Sequence, residues 1–261
     1  AFPISAWSEL IHLKAKQGKL DGVIAELDKG VAVDLPATSM TSIGRVSPLY
    51  VAAQLGHSEV VAELLSRGAD PNRYFGSPEE AWGPVGTPLH AAAGNGHAEV
   101  VQLLIDAGAD VTAHTYVTGP PLHMARTRDL ENVEAVLLRN GAPETWAAPA
   151  IAGKLEKADV DRGRLLAKGC EQCHGTSSPG GGHGERGPNL WGVLDRAAGS
   201  AAGFEYSEYL NAAPFSWDAD NLSSYLASPF RFLPGTTKYP TEITAEQDRI
   251  DLIGFISSNW N

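Results

Sequence analysis

Apolar and small residues recur in three blocks of similar layout in the first half of the chain. Each block opens with Pro-Leu and a short run of small or apolar residues. The first two continue with Gly-His, a Val-Val pair and Gly-Ala-Asp, and the third ends in Gly-Ala. Pro88 and Pro121 lie 33 residues apart, whereas Pro48 lies 40 residues before Pro88. Because proline suits the start of a helix and glycine its end, the pattern predicts stacked pairs of short helices.

A weaker block precedes these three, at residues 10–30. It lacks the Pro-Leu opening and carries Lys14, Lys16 and Lys19, as expected of a terminal capping repeat whose outer face is exposed to solvent. The spacing and the Thr-Pro-Leu-His string at 87–90 resemble ankyrin repeats. The resemblance implies a solenoid of about four helix pairs, and we predict that residues 1–145 form this domain.

Four histidines occupy repeating positions in the blocks. His90 and His123 follow Pro-Leu, and His57 and His97 follow glycine. Equivalent positions in successive repeats favour structural hydrogen bonds over metal binding.

The extra residues between the first two blocks fall at 73–84. They include Tyr74, Phe75 and Trp82 beside two glutamates. Insertions in repeat arrays map to a loop face, which is often the binding face. The aromatic residues either contact a partner or the second domain, or fold back on the array itself.

The second half contains Cys170-Glu171-Gln172-Cys173-His174. Cys-x-x-Cys-His is the attachment signature of a c-type haem, in which the two thiols form thioethers and the histidine ligates iron. These are the only two cysteines, too few for a disulfide-framed fold. A tetrahedral zinc site lacks its other clustered ligands, and a thioredoxin-like pair needs no following histidine. We predict one covalent haem c.

From Asp159 to Trp260 the order of motifs resembles a class I cytochrome c. An N-terminal helix, the attachment motif, the Gly-Pro-Asn-Leu string at 187–190 and the Pro-Gly-Thr string at 234–236 follow one another. A last helix is expected at about 245–258, with an apolar face that crosses the first helix. The resemblance implies a small all-α domain at 157–261, and the Ala- and Pro-rich residues 146–156 are predicted to be a linker.

The resemblance also implies roles for individual residues. Pro188 matches the proline whose carbonyl accepts a hydrogen bond from the ligating His174. Tyr225 matches a tyrosine beside the distal ligand. Three further residues match positions that bind a haem propionate: Arg196, Tyr206 and Trp217.

The sequence departs from the family at the sixth iron ligand. The family pattern is Pro-Gly-Thr-Lys-Met, but residues 234–240 read Pro-Gly-Thr-Thr-Lys-Tyr-Pro, and both methionines, Met40 and Met124, belong to the repeats. Matching Thr-Lys-Met-Pro to this string favours Tyr239, whereas counting without gaps gives Lys238.

An iron that is open, or that His183 reaches from its glycine-rich loop, is a third possibility. Tyr and Lys have reference pKa values of about 10 and 10.4, so either must lose a proton to ligate. Both favour ferric iron, and the reduction potential is expected to lie well below that of a His/Met haem.

Composition limits the partners and the compartment. The 261 residues carry a net charge of −11, which argues against nucleic acid and anionic membrane surfaces. No apolar run reaches 18 residues, so no membrane span is predicted. Haem attachment and the Ala1-Phe2-Pro3 start lead us to expect a periplasmic protein whose signal peptide has been removed.

We therefore expect a mostly α protein, an ankyrin solenoid followed by a class I cytochrome c domain. Its expected function is electron transfer, with a redox protein docked on the ankyrin face or on 73–84. The alternative is a haem enzyme or sensor, peroxidase-like or gas-binding, in which a weak distal ligand is displaced. A third class is an interaction protein with a structural haem. Electron transfer is favoured over enzymatic activity.

Overall fold

The computed structural model describes residues 4–37, 46–76, 86–115, 118–176, 182–184, 186–236 and 242–260, with the backbone alone for 4–9. The chain divides into two compact units, which we call the repeat unit (1–143) and the C-terminal unit (144–261). Regular structure within the described ranges is helical, as predicted, with isolated β-bridges between loops. None of the helices in these ranges is long and apolar enough to cross a membrane.

The repeat unit is built from four helix pairs. The helices are α1 Ile4–Lys16, α2 Leu20–Asp28, α3 Pro48–Leu55, α4 Ser58–Ser66, α5 Pro88–Gly94, α6 Ala98–Asp106, α7 Pro121–Arg126 and α8 Glu131–Arg139. Proline opens α3, α5 and α7, and the Ser47 hydroxyl caps α3 by accepting from the Tyr50 backbone N–H. The helix pairs predicted from the periodicity are confirmed, and the first pair extends to Ile4.

Matching positions of successive repeats form one continuous apolar core. Leu49, Leu89 and Leu122 are almost fully buried, and small alanines allow adjacent first helices to approach. Histidines tie neighbouring repeats: His57 Nε2 lies 3.0 Å from the Lys16 carbonyl, and His97 Nε2 lies 3.1 Å from the Gln54 carbonyl. These bonds agree with the structural role predicted for the repeated histidines.

The buried histidine of the third repeat shows the same structural use. His90 Nδ1 accepts from the Thr87 N–H at 3.2 Å, and its Nε2 lies 3.2 Å from the Gly119 carbonyl. Burial lowers the pKa of His90 to about 4, and burial likewise lowers the pKa of His123 to about 4. Both rings are therefore neutral at physiological pH.

The described part of the insertion contains one buried and one exposed aromatic residue. Phe75 packs edge-on against Tyr50, with ring centroids 5.4 Å apart, and is folded back on the array. Tyr74 is 49% exposed. Trp82 and the two glutamates beside it lie outside the described residues.

The C-terminal unit has its own apolar core. Its elements are a 3₁₀ helix at Ala152–Lys157, then α9 Val160–Glu171, α10 Glu208–Asn211, α11 Ala219–Ala227, α12 Pro229–Phe232 and α13 Glu246–Asn259. Helices α9 and α13 cross at Gly163, where a Cβ would collide with the Asp251 carbonyl. The buried Asp251 carboxylate also accepts the Asp159 N–H at 2.9 Å, at the start of α9. This is the predicted packing of first and last helices.

The segment predicted as a linker, 146–156, belongs to the C-terminal unit instead. Ile151 is fully buried in its core, and the Asp220 carboxylate accepts the backbone N–H groups of Ile151 and Ala152 at 2.6 and 2.9 Å. The alanines and prolines indicated a linker because they carry little apolar area, but Ile151 anchors the segment. The boundary between the units falls after Pro143.

Candidate haem site

The end of α9 brings the three residues of the attachment motif together. Cys170 lies in the last turn of the helix, and its carbonyl accepts the backbone N–H groups of Cys173 at 3.1 Å and His174 at 3.0 Å. The motif thus closes into a single turn. Both cysteines are partly exposed and His174 is buried.

The His174 ring is held by the loop that contains Gly187 and Pro188. Its Nδ1 donates to the Pro188 carbonyl at 2.8 Å, as the resemblance implied. This bond fixes the proton on Nδ1, so the lone pair of the neutral ring lies on Nε2. Gly187 lies against the ring, and a Cβ there would collide with the imidazole. The Gly-Pro pair therefore both makes room for the ring and orients it.

His183, one of the residues predicted as able to reach the iron, is hydrogen-bonded to backbone groups in this structure. Its Nδ1 accepts the Asn189 N–H at 3.0 Å, and its Nε2 donates to the Ala202 carbonyl at 2.8 Å. Both ring nitrogens are engaged by backbone groups. His183 instead fixes the peptide that follows Pro188, and sequence reasoning missed this role because the partners lie six and 19 residues away.

Arg196 lies beside the same loop. Its guanidinium donates to the carbonyls of Asn189 at 2.9 Å and Trp191 at 3.2 Å, and burial lowers its pKa. Its own carbonyl accepts the Trp217 N–H at 2.9 Å. A half-buried guanidinium that faces carbonyl dipoles is suited to an anionic group such as a carboxylate.

The predicted aromatic residues gather around this arginine. Tyr206 and Arg196 are close enough for each to influence the pKa of the other: burial raises the pKa of Tyr206, and the guanidinium opposes that rise. Trp217 and Tyr225 pack edge-on with centroids 5.1 Å apart. Burial raises the pKa of Tyr225 to about 12, and the nearby Thr236 side chain opposes the rise. Both phenols are therefore protonated donors at neutral pH.

These residues fit a haem c. The donor set consists of two thiols and one imidazole within a single turn, with the imidazole oriented by Pro188. An arginine and phenol donors, suited to propionates, lie on the loop that follows, and the buried rings of Trp217 and Tyr225 are close to them. The structure thus brings together the predicted residues of the proximal side and of the propionate side.

The two candidates for the sixth iron ligand, Lys238 and Tyr239, lie outside the described residues. The turn before them is described: Pro234, Gly235 and Thr236 are buried, and a Cβ on Gly235 would collide with the Tyr209 ring. Gly235 has a φ of +98°, which favours glycine at this turn. Tyr209 was not recognised from the sequence.

Comparison with known proteins finds two kinds of match for this chain. A family model for the ankyrin repeat matches residues 46–74 and 86–116. The cytochrome c of Chlamydomonas reinhardtii is 37% identical over 109 residues, which cover 42% of this chain and 92% of that protein. The chain belongs to the cytochrome c family. The cytochrome c of Ulva intestinalis is 38% identical over 93 residues, 36% of this chain and 82% of that protein.

A bacterial relative gives the same result. A cytochrome c homolog of Bradyrhizobium diazoefficiens is 32% identical over 121 residues, which cover 46% of this chain and 65% of that protein. The predicted fusion of ankyrin repeats with a cytochrome c is confirmed, together with its all-α fold class. Membership of the cytochrome c family implies haem c as the cofactor and a haem-binding, electron-transfer role for the domain.

Proposed function

We propose that the protein is a periplasmic cytochrome with a single haem c that transfers electrons, and that its ankyrin repeats dock a redox partner. The hydrogen bond from His174 Nδ1 to the Pro188 carbonyl carries the proposal. The bond keeps the ring proton on Nδ1, so the lone pair lies on Nε2. In an imidazole that adjoins two cysteines, Nε2 is the atom that would ligate the iron of a haem c.

Haem c would be held by thioethers to Cys170 and Cys173 and by His174. When bound, it supplies one-electron exchange between ferric and ferrous iron. Three residues would bind a propionate by charge-assisted or neutral hydrogen bonds: Arg196, Tyr206 and Trp217. The buried Tyr225 ring would exclude water from the distal side, since it packs on Trp217 and lies 6.1 Å from the Phe232 ring centroid.

Tyr239 is the proposed sixth ligand, and Lys238 is the alternative. The C-terminal unit contains no methionine, so the family's thioether ligand is missing from its sequence. A phenolate or an amine stabilises ferric iron, and the reduction potential should therefore be low. Tyr239→Phe should convert the ferric optical spectrum to high spin, whereas Lys238→Ala should leave it nearly unchanged. The reverse pattern would establish Lys238 as the ligand.

The missing methionine also favours a second function, that of a haem enzyme or sensor. A ligand that binds ferric iron well and ferrous iron poorly would leave the reduced site accessible to a peroxide or a gas. Ferric and ferrous spectra of the native protein distinguish the two functions. Retention of six-coordinate bands on reduction supports electron transfer, and their loss together with rapid peroxide turnover supports the alternative.

The haem assignment is tested by intact-mass measurement after extraction with acid and organic solvent. The native chain should gain the mass of one haem and keep its colour, and a Cys170→Ala, Cys173→Ala variant should do neither. A reversible one-electron redox titration should follow. Haem that is extracted from the native protein would contradict covalent attachment.

Docking through the repeats is proposed from the exposed Tyr74, because exposed aromatics are enriched at interfaces. The net charge of −11 favours a basic or neutral partner. Tyr74→Ser should slow electron transfer to the native partner several-fold, while Glu156→Gln, at an exposed position of the C-terminal unit, serves as a control. Equal rates for Tyr74→Ser and native protein would remove this residue from the docking face. The proposed periplasmic location is tested by fractionation of the native host.

A further inference from the structure

A single peptide group, the one between Pro188 and Asn189, is hydrogen-bonded to two histidine rings. Its carbonyl oxygen accepts from His174 Nδ1 at 2.8 Å, and its N–H donates to His183 Nδ1 at 3.0 Å. The peptide bond is trans, so its carbonyl and its N–H point in opposite directions. One backbone group therefore connects the predicted proximal ligand to a histidine outside the attachment motif.

The tautomer of the His183 ring follows from its two partners. A carbonyl oxygen can only accept, so the contact of 2.8 Å between Nε2 and the Ala202 carbonyl requires the ring proton on Nε2. A backbone N–H can only donate, so Nδ1 must offer its lone pair to Asn189. Both contacts are satisfied by the same neutral form of the ring, which makes His183 an acceptor for the peptide.

Aromatic packing holds the His183 ring in this position. The Phe204 ring packs edge-on against it, with centroids 5.5 Å apart, and Phe204 in turn packs edge-on against Tyr206 at 4.9 Å. The imidazole is only partly exposed to solvent. Its acceptor nitrogen is therefore fixed both by hydrogen bonds and by the neighbouring rings.

The chain beyond the peptide is also fixed. Asn189 is buried, and its own carbonyl accepts from the Arg196 guanidinium at 2.9 Å. The Leu190 N–H donates to the Gly175 carbonyl at 2.7 Å. The peptide cannot turn away from either histidine without disturbing these bonds. It therefore presents its carbonyl and its N–H to the two rings at the same time.

Hydrogen bonds at the two ends of one peptide strengthen each other. Because the group is a resonance system, an acceptor at its N–H moves electron density toward its carbonyl oxygen. The Pro188 oxygen then accepts more strongly from His174 Nδ1, which makes Nε2 of His174 a more basic ligand. A more basic axial ligand favours ferric over ferrous iron and lowers the reduction potential.

We propose that His183 is a positioning residue that lowers the reduction potential of the haem, through the peptide between Pro188 and Asn189. The inference rests on the proposed function, in which His174 ligates the iron. His183 touches neither iron nor haem in this scheme and acts only through the peptide. Loss of its acceptor nitrogen should weaken the bond from His174 to Pro188 and so favour the ferrous state.

Three variants of the full-length protein separate the acceptor from the packing. His183→Leu removes the acceptor and fills the space, so that water does not take the place of the ring. His183→Gln retains an acceptor, because its amide oxygen can accept from the Asn189 N–H while its amide nitrogen donates to the Ala202 carbonyl. Phe204→Leu is the matched control, since it loosens the packing of the same ring but leaves both ring nitrogens in place.

The first measurement is the equilibrium constant for reduction of the holo-protein by a mediator of known potential, at one neutral pH. This constant should rise several-fold in His183→Leu, rise less in His183→Gln and stay at the native value in Phe204→Leu. The reason is that only the first substitution removes the acceptor from the Asn189 N–H.

The second measurement is the NMR signal of the His174 Nδ1 proton in ferrous protein under carbon monoxide, which gives every variant the same sixth ligand. The signal should move upfield in His183→Leu, because the hydrogen bond to Pro188 becomes weaker. It should move less in His183→Gln and stay in place in Phe204→Leu. A purely structural role of His183 would not couple this signal to the reduction equilibrium.

Native values of both quantities in His183→Leu would overturn the proposal. A change in Phe204→Leu as large as that in His183→Leu would also overturn it, since packing would then be the cause. So would a changed reduction equilibrium with an unmoved His174 signal. If His183→Leu takes up no haem, His183→Ala replaces it under the same criteria. Failure of the proposed function is recognised separately, by native protein that carries no covalent haem in the intact-mass measurement.

Discussion

The contacts that stabilise each unit internally span different distances along the chain. In the repeat unit, long-range polar contacts join positions about one repeat apart, as between His57 and Lys16 or between Asn72 and the Gly108 carbonyl at 2.8 Å. In the C-terminal unit, some join residues 14 to 26 positions apart, as between His174 and Pro188, but others join residues 69 to 92 positions apart, as between Ile151 and Asp220 or Asp159 and Asp251. A repeat array is stabilised by contacts between nearest neighbours, whereas the C-terminal unit is closed by contacts between distant parts of its chain.

This contrast predicts that loss of haem attachment affects one unit alone, and it is the largest effect we expect. In Cys170→Ala, Cys173→Ala the C-terminal unit would lose the proposed covalent haem, whose packing against apolar side chains would stabilise the folded state. Pulse-labelling hydrogen exchange should show lost protection at 160–171 and 246–259, with protection at 86–126 retained. Loss of protection in both units would contradict their independence.

Acid should destabilise the repeat unit through its buried histidines. The pKa values of His90 and His123 fall from 6.5 to about 4 on folding, so the unfolded chain binds their protons first. The contribution of these two histidines to the free energy of unfolding is complete above pH 6.5. It is lost as the pH drops toward 4, by on the order of 3 kcal/mol for each histidine.

A urea series with pulse labelling of residues 86–126 measures this loss at each pH. A His90→Gln, His123→Gln variant should start less stable at pH 7 but show a much flatter dependence between pH 6.5 and 4. Parallel curves for the two proteins would assign the acid sensitivity to other groups.

His183→Ala should destabilise the C-terminal unit moderately. The substitution leaves the Asn189 N–H and the Ala202 carbonyl without their ring partner, which costs about 1–3 kcal/mol. Ser200→Ala, which removes one exposed local bond to the Ala197 carbonyl, is the control and should cost less than about 0.5 kcal/mol. Urea titration of each holo-protein gives the free energy of unfolding, from which the costs of the two substitutions are compared. Equal costs for the two variants would contradict the bridging role of His183.

The smallest expected effects are those of the partly buried histidines His57 and His97, which join neighbouring repeats. His57→Ala and His97→Ala each remove one ring-to-carbonyl bond and should cost about 1 kcal/mol. Because the two bonds join different pairs of repeats and share no partner, the costs should add in the double variant within about 0.5 kcal/mol. A large deviation from additivity would show that the array unfolds with stronger coupling than nearest-neighbour contacts provide.

The repeat unit was largely predictable from the sequence because its signals are local. Pro88, Gly56 and the leucines of each block set helix starts, ends and buried faces within one repeat. The attachment motif at 170–174 was equally readable, since its chemistry is contained in five residues. The sixth ligand was not, because its pattern departs from the family at 237–240 and local spacing fits two residues equally well.

Sequence by itself determined the fusion of an ankyrin array with a cytochrome c and the helices that frame both units, and it predicted the cysteines and histidine that would attach a haem. The tertiary structure alone decided that residues 146–156 pack on the C-terminal unit, that His183 bridges two loops, and that His174 and His183 bond to one peptide group. The physical reason is distance along the chain. Ile151 and Asp220 are 69 residues apart, and the residues near Ile151 in the sequence do not indicate that Asp220 is its hydrogen-bond partner.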